Sequence, residues 1–292
     1  MKIGYAILDE GKGVVLLKDG KVYQPENEAF SCVFQDTSKV ISGFEEVKSL
    51  KMKEVRVKKF LPPVYPEKIF LPAVNFRSHS KESSMAPPSE PYFFTKFRNA
   101  LIGIGDPIVI PHYLKKVDYE GEIGIVIGRK CKDVEKHDAM ECVFGFTVVN
   151  DVSFRDYQFP GIPHYGLNWV KGKGLDKGLP VGPWVVSLDE VNVDSLRIIT
   201  KVNGRKVQDG GIEDMIFDIP SLISYLSKGI TLLPGDLITT GTPAGVGEFG
   251  EKNYLKDGDV VSVEVPQVGL LWNIVKEDKG KGKGEGGASS NI

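Results

Sequence analysis

Three carboxylates in this chain are spaced for metal chemistry. Glu120 and Glu122 flank Gly121 at the head of the apolar run Ile123-Gly124-Ile125-Val126-Ile127, and Asp151 follows Asn150 at the end of a second apolar run, Val143 to Val149. A β-strand turns side chains i and i+2 to one face, so Glu120 and Glu122 point together with Cβ atoms roughly 6–7 Å apart. Two like charges on one face of a buried strand need a cation between them, and Asp151 supplies a third oxygen if its strand lies alongside. No cysteine or histidine stands at ligand spacing, so the set suits Mg²⁺ or Mn²⁺ before Zn²⁺. Taken alone, the pattern also fits a strand edge facing solvent, with Asp151 opening a turn.

Elements that could position these groups follow from composition. A chain of 292 residues can bury a sizeable core. Its 37 basic and 39 acidic residues nearly balance, which gives no support to a nucleic-acid or membrane-surface role. Short Val- and Ile-rich runs closed by Gly and Pro favour strands and turns, so the expected class is mostly β with some α. No long apolar span or signal-like leader is present, and the expectation is a soluble cytoplasmic protein. Cys32, Cys131 and Cys142 show no paired spacing and are expected to be reduced.

Three stretches differ in character. Residues 1–62 form a small N-terminal α+β unit: an antiparallel meander turning at Asp9-Glu10-Gly11-Lys12 and Lys18-Asp19-Gly20-Lys21, then a short helix between Ser38 and Leu50. Leu61-Pro62-Pro63-Val64-Tyr65-Pro66 is an extended linker, because its three prolines exclude a helix or a central strand. Residues 68–277 form the large domain, where Gly105-Asp106, Pro234-Gly235-Asp236 and Asp257-Gly258-Asp259 each precede a strand, and Ile219 to Ser227 has helical spacing. Residues 278–292 are rich in Lys, Gly and Ser and are expected to be disordered.

Within the large domain the motifs resemble the fumarylacetoacetate hydrolase family. Asn150-Asp151-Val152-Ser153-Phe154-Arg155-Asp156-Tyr157-Gln158 is similar to the family's N-D-x-S-x-R-D-x-Q signature, and Thr240-Gly241-Thr242-Pro243-Ala244-Gly245-Val246-Gly247 to its T-G-T-P-x-G-V-G loop. Gly269-Leu270-Leu271-Trp272-Asn273-Ile274-Val275 follows its closing G-x-L-x-N-x-V pattern, so the resemblance runs from about Ile69 to Val275. It implies a mixed β-sandwich roll, a homodimer, and a divalent cation held by Glu120, Glu122 and Asp151.

The resemblance also implies roles around the cation. Asn75-Phe76-Arg77-Ser78-His79-Ser80-Lys81-Glu82 resembles an N-Y-x-x-H-x-x-E segment whose His79 and Glu82 form an acid/base pair on a helical lid; i and i+3 share a helical face, so Glu82 can orient His79. Phe76 stands where the family has tyrosine. Lys173 matches an active-site lysine able to neutralise a developing oxyanion, with Lys171 replacing the commoner arginine. Arg155, Gln158 and Thr242 are implied to bind substrate. Phe94-Thr95-Lys96-Phe97 follows where the family often has F-x-K-P.

The implied substrates are 2-oxo or 2,4-dioxo acids. A cation on the 2-oxo and carboxylate oxygens would hold the enolate common to the family's reactions. Hydrolysis of a C–C bond in acylpyruvate-like acids is the first expectation. Oxaloacetate decarboxylation, dehydration of 2-keto-3-deoxy sugar acids and isomerisation are alternatives after the same enolate, and a non-catalytic binding protein is the alternative of another class.

Overall fold

The computed structural model describes residues 1–26, 36–161, 164 and 166–280. Two sheets pack face to face. The larger runs from an edge at Met52–Glu54 through Lys21–Pro25, Gly11–Lys18, Lys2–Leu8, Leu179–Ser187, Val143–Asn150, Gly121–Ile127, Leu237–Thr239 and Ile69–Pro72 to Phe93–Thr95. The smaller has the order Arg205–Gly211, Arg197–Val202, Val260–Val265, Gly269–Asp278, Ile108–Pro111. The protein is mostly β, with pairings mainly antiparallel and parallel contacts such as Leu237 with Ile69 and Val275 with Ile108.

Strand Gly121–Ile127 lies inside the larger sheet and is buried throughout. Its odd residues Ile123, Ile125 and Ile127 pack with Ile198, Val263 and Leu271 of the facing sheet. Val126 faces the opposite core of Val40, Leu71, Phe94 and Val149. The period of two therefore puts Glu120 and Glu122 on that second side. Gly121, between them, lies against the facing sheet with no room for a side chain: a Cβ there would stand 2.1 Å from Thr200 Oγ1.

The N-terminal meander forms as expected, but Lys2–Leu8 pairs with Leu179–Ser187, so one sheet runs across the composition break at residues 62–68. Helices occupy Thr37–Ser42 and Phe44–Lys48. The Ile219–Ser227 helix matches its expected bounds; Asp218 Oδ1 caps it by accepting from Ser221 N at 2.9 Å, and it buries Ile219, Leu222, Ile223 and Leu226. The last strand extends to Asp278, and most of the expected disordered tail, residues 281–292, lies outside the described residues. Among the described residues no helix is long and apolar enough to cross a membrane.

The expectation for the cysteines is overturned in part. Cys131 and Cys142 form a disulfide with Cα atoms 6.2 Å apart. Cys131 bridges to Leu232 while Cys142 ends a 3₁₀ turn leading into Val143–Asn150. That tertiary approach, absent from the sequence spacing, makes bonding geometry available. Cys32 lies outside the described residues.

Candidate active site

Register brings the three carboxylates together. Gly121 pairs with Asn150, Asn150 Oδ1 accepts from Glu120 N at 3.0 Å, and Asp151 N donates to Glu120 O at 2.8 Å. One oxygen from each of Glu120, Glu122 and Asp151 lies within 4.8 Å of the others, and all three residues are buried. Glu122 Oε2 is buried without a hydrogen-bond partner. An orphaned buried carboxylate oxygen in an oxygen-only cluster fits a hard divalent cation such as Mg²⁺ or Mn²⁺.

Three buried cations compensate the cluster. Lys173, at the end of the Trp169–Lys173 helix, donates to Glu120 Oε2, Asp151 Oδ2 and Ser153 Oγ, each at 2.6 Å. Lys96 lies 2.7 Å from Asp151 Oδ1 and donates to Val152 O at 2.7 Å and to Gly178 O. Arg155 opens the Arg155–Gln158 helix; its Nη2 reaches Glu120 Oε1 at 2.6 Å and Asp118 Oδ2 at 2.8 Å, while Nη1 donates to Gln158 Oε1 at 2.7 Å. The guanidinium implied to bind substrate thus clamps protein carboxylates and also borders the cavity.

Four buried carboxyls, Asp118 included, face three cations, and the uncompensated charge falls on Glu122. Burial, together with the charges of Asp151 and Glu120, pushes the Glu122 carboxyl well above the usual range. Glu120 behaves oppositely: burial would raise it, but Lys173 and Arg155 outweigh burial and hold it low. Burial also works against Lys173, yet Asp151 and Glu120 keep its ammonium more basic than usual. For Lys96 burial wins over Asp151 and lowers it.

A cavity of about 170 Å³ opens beside this cluster, lined by His79, Glu120, Arg155, Gln158 and Lys173 on its polar side. Its apolar walls are aromatic: Phe94 stacks on Trp169 at 4.6 Å and lies 4.9 Å from the Lys173 ammonium, while Phe249 faces Arg155 at 5.9 Å and His79 at 5.7 Å. His79 sits on the Arg77–Ser83 helix, which ends before Pro87, and its Nδ1 is 3.5 Å from Glu82 Oε2. Bonds from distant segments hold this helix, among them Arg77 Nη1 donating to Met215 O at 2.6 Å, Ser78 N to Asp214 Oδ2 at 3.0 Å, and Gly245 N to Glu82 Oε1 at 2.9 Å.

Not every expected residue borders the cavity. The Thr242 hydroxyl donates to Gly121 O at 2.8 Å and accepts from Gln208 Nε2 at 2.8 Å, which fixes the peptide between the two glutamates. Lys171 lies outside, its ammonium 4.6 Å from the Tyr157 ring. Phe76 is fully buried and bridges to Met215.

Sequence reasoning missed Asp118, Lys96 and Gln208 as parts of the site. Asp118 carried a signal: Asp118, Glu120 and Glu122 continue the same two-residue spacing upstream. Lys96 matches the lysine of the F-x-K-P-like segment, a signal from which no role was read, while for Gln208 no local pattern announces burial against a glycine amide.

The fumarylacetoacetate (FAA) hydrolase C-terminal model matches residues 68–276, and the chain belongs to the fumarylacetoacetate hydrolase family. It is 41% identical over 219 residues to human mitochondrial oxaloacetate tautomerase FAHD2A, covering 74% of this chain and 69% of that protein. Among solved structures, fumarylacetoacetate hydrolase from Exiguobacterium antarcticum aligns with a TM-score of 0.81 at 31% identity, over 95% of this chain and 100% of the other. The 5-carboxymethyl-2-hydroxymuconate delta-isomerase of Mycobacterium smegmatis gives 0.75 at 29% identity, with the same coverage.

Proposed function

We propose that this protein is a divalent-metal-dependent enzyme that interconverts keto and enol forms of a small 2-oxo acid of the oxaloacetate class. The observation that carries the reading is that Glu120, beside the orphaned oxygen of Glu122, and His79, beside Glu82, border one cavity. When bound, Mg²⁺ or Mn²⁺ would polarise the 2-oxo group and offset the charge of the enolate. With all four carboxyls ionised, a divalent ion leaves the cluster one positive charge in excess, which one carboxylate of a 2-oxo acid neutralises. His79 takes the proton from C3 and passes it to the 2-oxygen to give the enol, and in the reverse direction carries it from that hydroxyl back to C3, with Glu82 holding the ring. Lys173 keeps Glu120 ionised, Gln158 offers an amide N–H to a substrate oxygen, and the aromatic walls exclude water. The cavity lies below the roughly 300–1,000 Å³ of drug-sized sites, which favours a short substrate. The tautomerase name of the human relative supports the same reading.

Hydrolysis of an acylpyruvate-like C–C bond is the second reading, favoured by the His79–Glu82 pair as a base for water. Enol-oxaloacetate, acetylpyruvate and fumarylpyruvate, each with metal-loaded protein, separate the two. Loss of enol absorbance without a change of mass supports tautomerisation, and pyruvate plus a second acid supports hydrolysis. Pyruvate plus carbon dioxide would assign a decarboxylase instead. Rates at the buffer background with every substrate overturn both. A homodimer in the cytoplasm completes the proposal, with sedimentation and cell fractionation as its tests.

A further inference from the structure

We infer that Asp118 couples the carboxylate cluster to the His79 helix, acting as a positioning residue through Arg155 on one side and the 243–249 loop on the other. The inference rests on the proposed metal-dependent reading. Asp118 is fully buried, and its two oxygens take five donors. Oδ1 accepts from Tyr119 N at 2.8 Å and Gly247 N at 2.7 Å; Oδ2 accepts from Glu248 N at 3.0 Å, Arg155 Nε at 3.0 Å and Arg155 Nη2 at 2.8 Å. The carboxylate that aims Arg155 at Glu120 therefore also anchors the loop.

The far end of that loop holds the helix. Gly245 N donates to Glu82 Oε1 at 2.9 Å and Ala244 N to Ser78 Oγ at 3.2 Å, while Tyr119 Oη ties down Gly245 O at 3.1 Å. Phe249, directly after Glu248, packs on His79, Phe159 and Arg155. There is little slack. Gly245 has φ +108° with its Cβ position 1.9 Å from Val207 O, and a Cβ on Gly247 would meet Asp118 Oδ1 at 2.8 Å and Asn253 O at 2.7 Å. A displacement of the helix is thereby transmitted through the loop to Asp118, Arg155 and Glu120.

The measurement is Mn²⁺ affinity of the purified full chain by calorimetry, a readout independent of turnover. Glu82 is not one of the three candidate ligands. The variants are Asp118→Asn, Glu82→Ala and their combination, a double-mutant cycle. Asp118→Asn is expected to weaken Mn²⁺ about tenfold, and Glu82→Ala several-fold in the parent but not in the Asp118→Asn background. Asp118→Glu, which keeps the charge, is expected to recover part of the loss. If Asp118→Asn does not fold, Gly247→Ala displaces the loop without altering charge and is expected to weaken Mn²⁺ several-fold. Additive effects in the cycle, or unchanged Mn²⁺ affinity in both Glu82→Ala and Gly247→Ala, overturn the coupling. Inert 2-oxo acids alongside a non-additive cycle would overturn the tautomerase reading and leave the coupling standing.

Discussion

Replacing Lys173 by methionine removes an ammonium while keeping an unbranched side chain, and its consequence depends on metal. Lys173 is 1% exposed and sits 2.6 Å from both Glu120 and Asp151. Breaking a buried ion pair by deleting one partner costs about 3–5 kcal/mol. The lower end applies, because Arg155 remains 2.6 Å from Glu120 and Lys96 remains 2.7 Å from Asp151. The metal-free variant should therefore lose about 3 kcal/mol of stability. A bound divalent cation satisfies the same carboxylates, so at saturating Mn²⁺ the loss should shrink to about 1 kcal/mol. The difference of about 2 kcal/mol must reappear as roughly thirtyfold tighter Mn²⁺ binding, since Lys173 competes with the ion for those oxygens. Urea denaturation with chelator and with Mn²⁺ gives the first quantity, and calorimetry gives the second. Equal losses of stability with and without Mn²⁺, or weaker Mn²⁺ binding by the variant, would refute the reasoning.

Other outcomes follow from the same geometry. His79→Ala should reduce turnover of the best 2-oxo acid by about 10²-fold or more at saturating metal with Mn²⁺ affinity little changed; full retention of rate would remove His79 from the chemistry. Asp151→Ala should abolish Mn²⁺ binding, because one of three buried oxygen ligands is lost, and wild-type affinity would place the metal elsewhere. Mn²⁺ affinity should rise with pH with release of a proton, because the Glu122 carboxyl, raised by burial and by its acidic neighbours, must ionise to bind. The folded Glu122 retains its proton where the unfolded chain has released it. Its contribution to metal-free stability is therefore fully present below the ordinary value of about 4.3 and fades as pH rises toward the folded value. A pH-independent Mn²⁺ affinity would contradict this. Replacing Cys131 and Cys142 by alanine should cost about 2–3 kcal/mol of stability, the loop-closure figure for a separation of 11 residues, and an unchanged denaturation midpoint would show the link to be unimportant.

The shared face of Glu120 and Glu122 was legible in the sequence, as was the proximity of His79 and Glu82 once the family resemblance had singled them out, because both relations are local. An i, i+2 spacing on a strand fixes a shared face, and an i, i+3 spacing on a helix fixes proximity, whatever the rest of the fold does. The apolar runs likewise pointed to the strands, and apolar residues at helical spacing to the Ile219–Ser227 helix. Tertiary structure decided everything that required two distant segments to meet. Only strand register placed Asp151 beside Glu120, and only packing buried Lys96 against Asp151, joined Cys131 to Cys142 and turned Arg155 toward Asp118 and Glu120. It also gave Thr242 and Gln208 the task of holding the Gly121 peptide. Burial, and with it the protonation of Glu122 and the pairing of charges, depends on how two sheets enclose a volume; a residue's sequence neighbours carry its type and period, but not the dielectric or the distant partners that surround it.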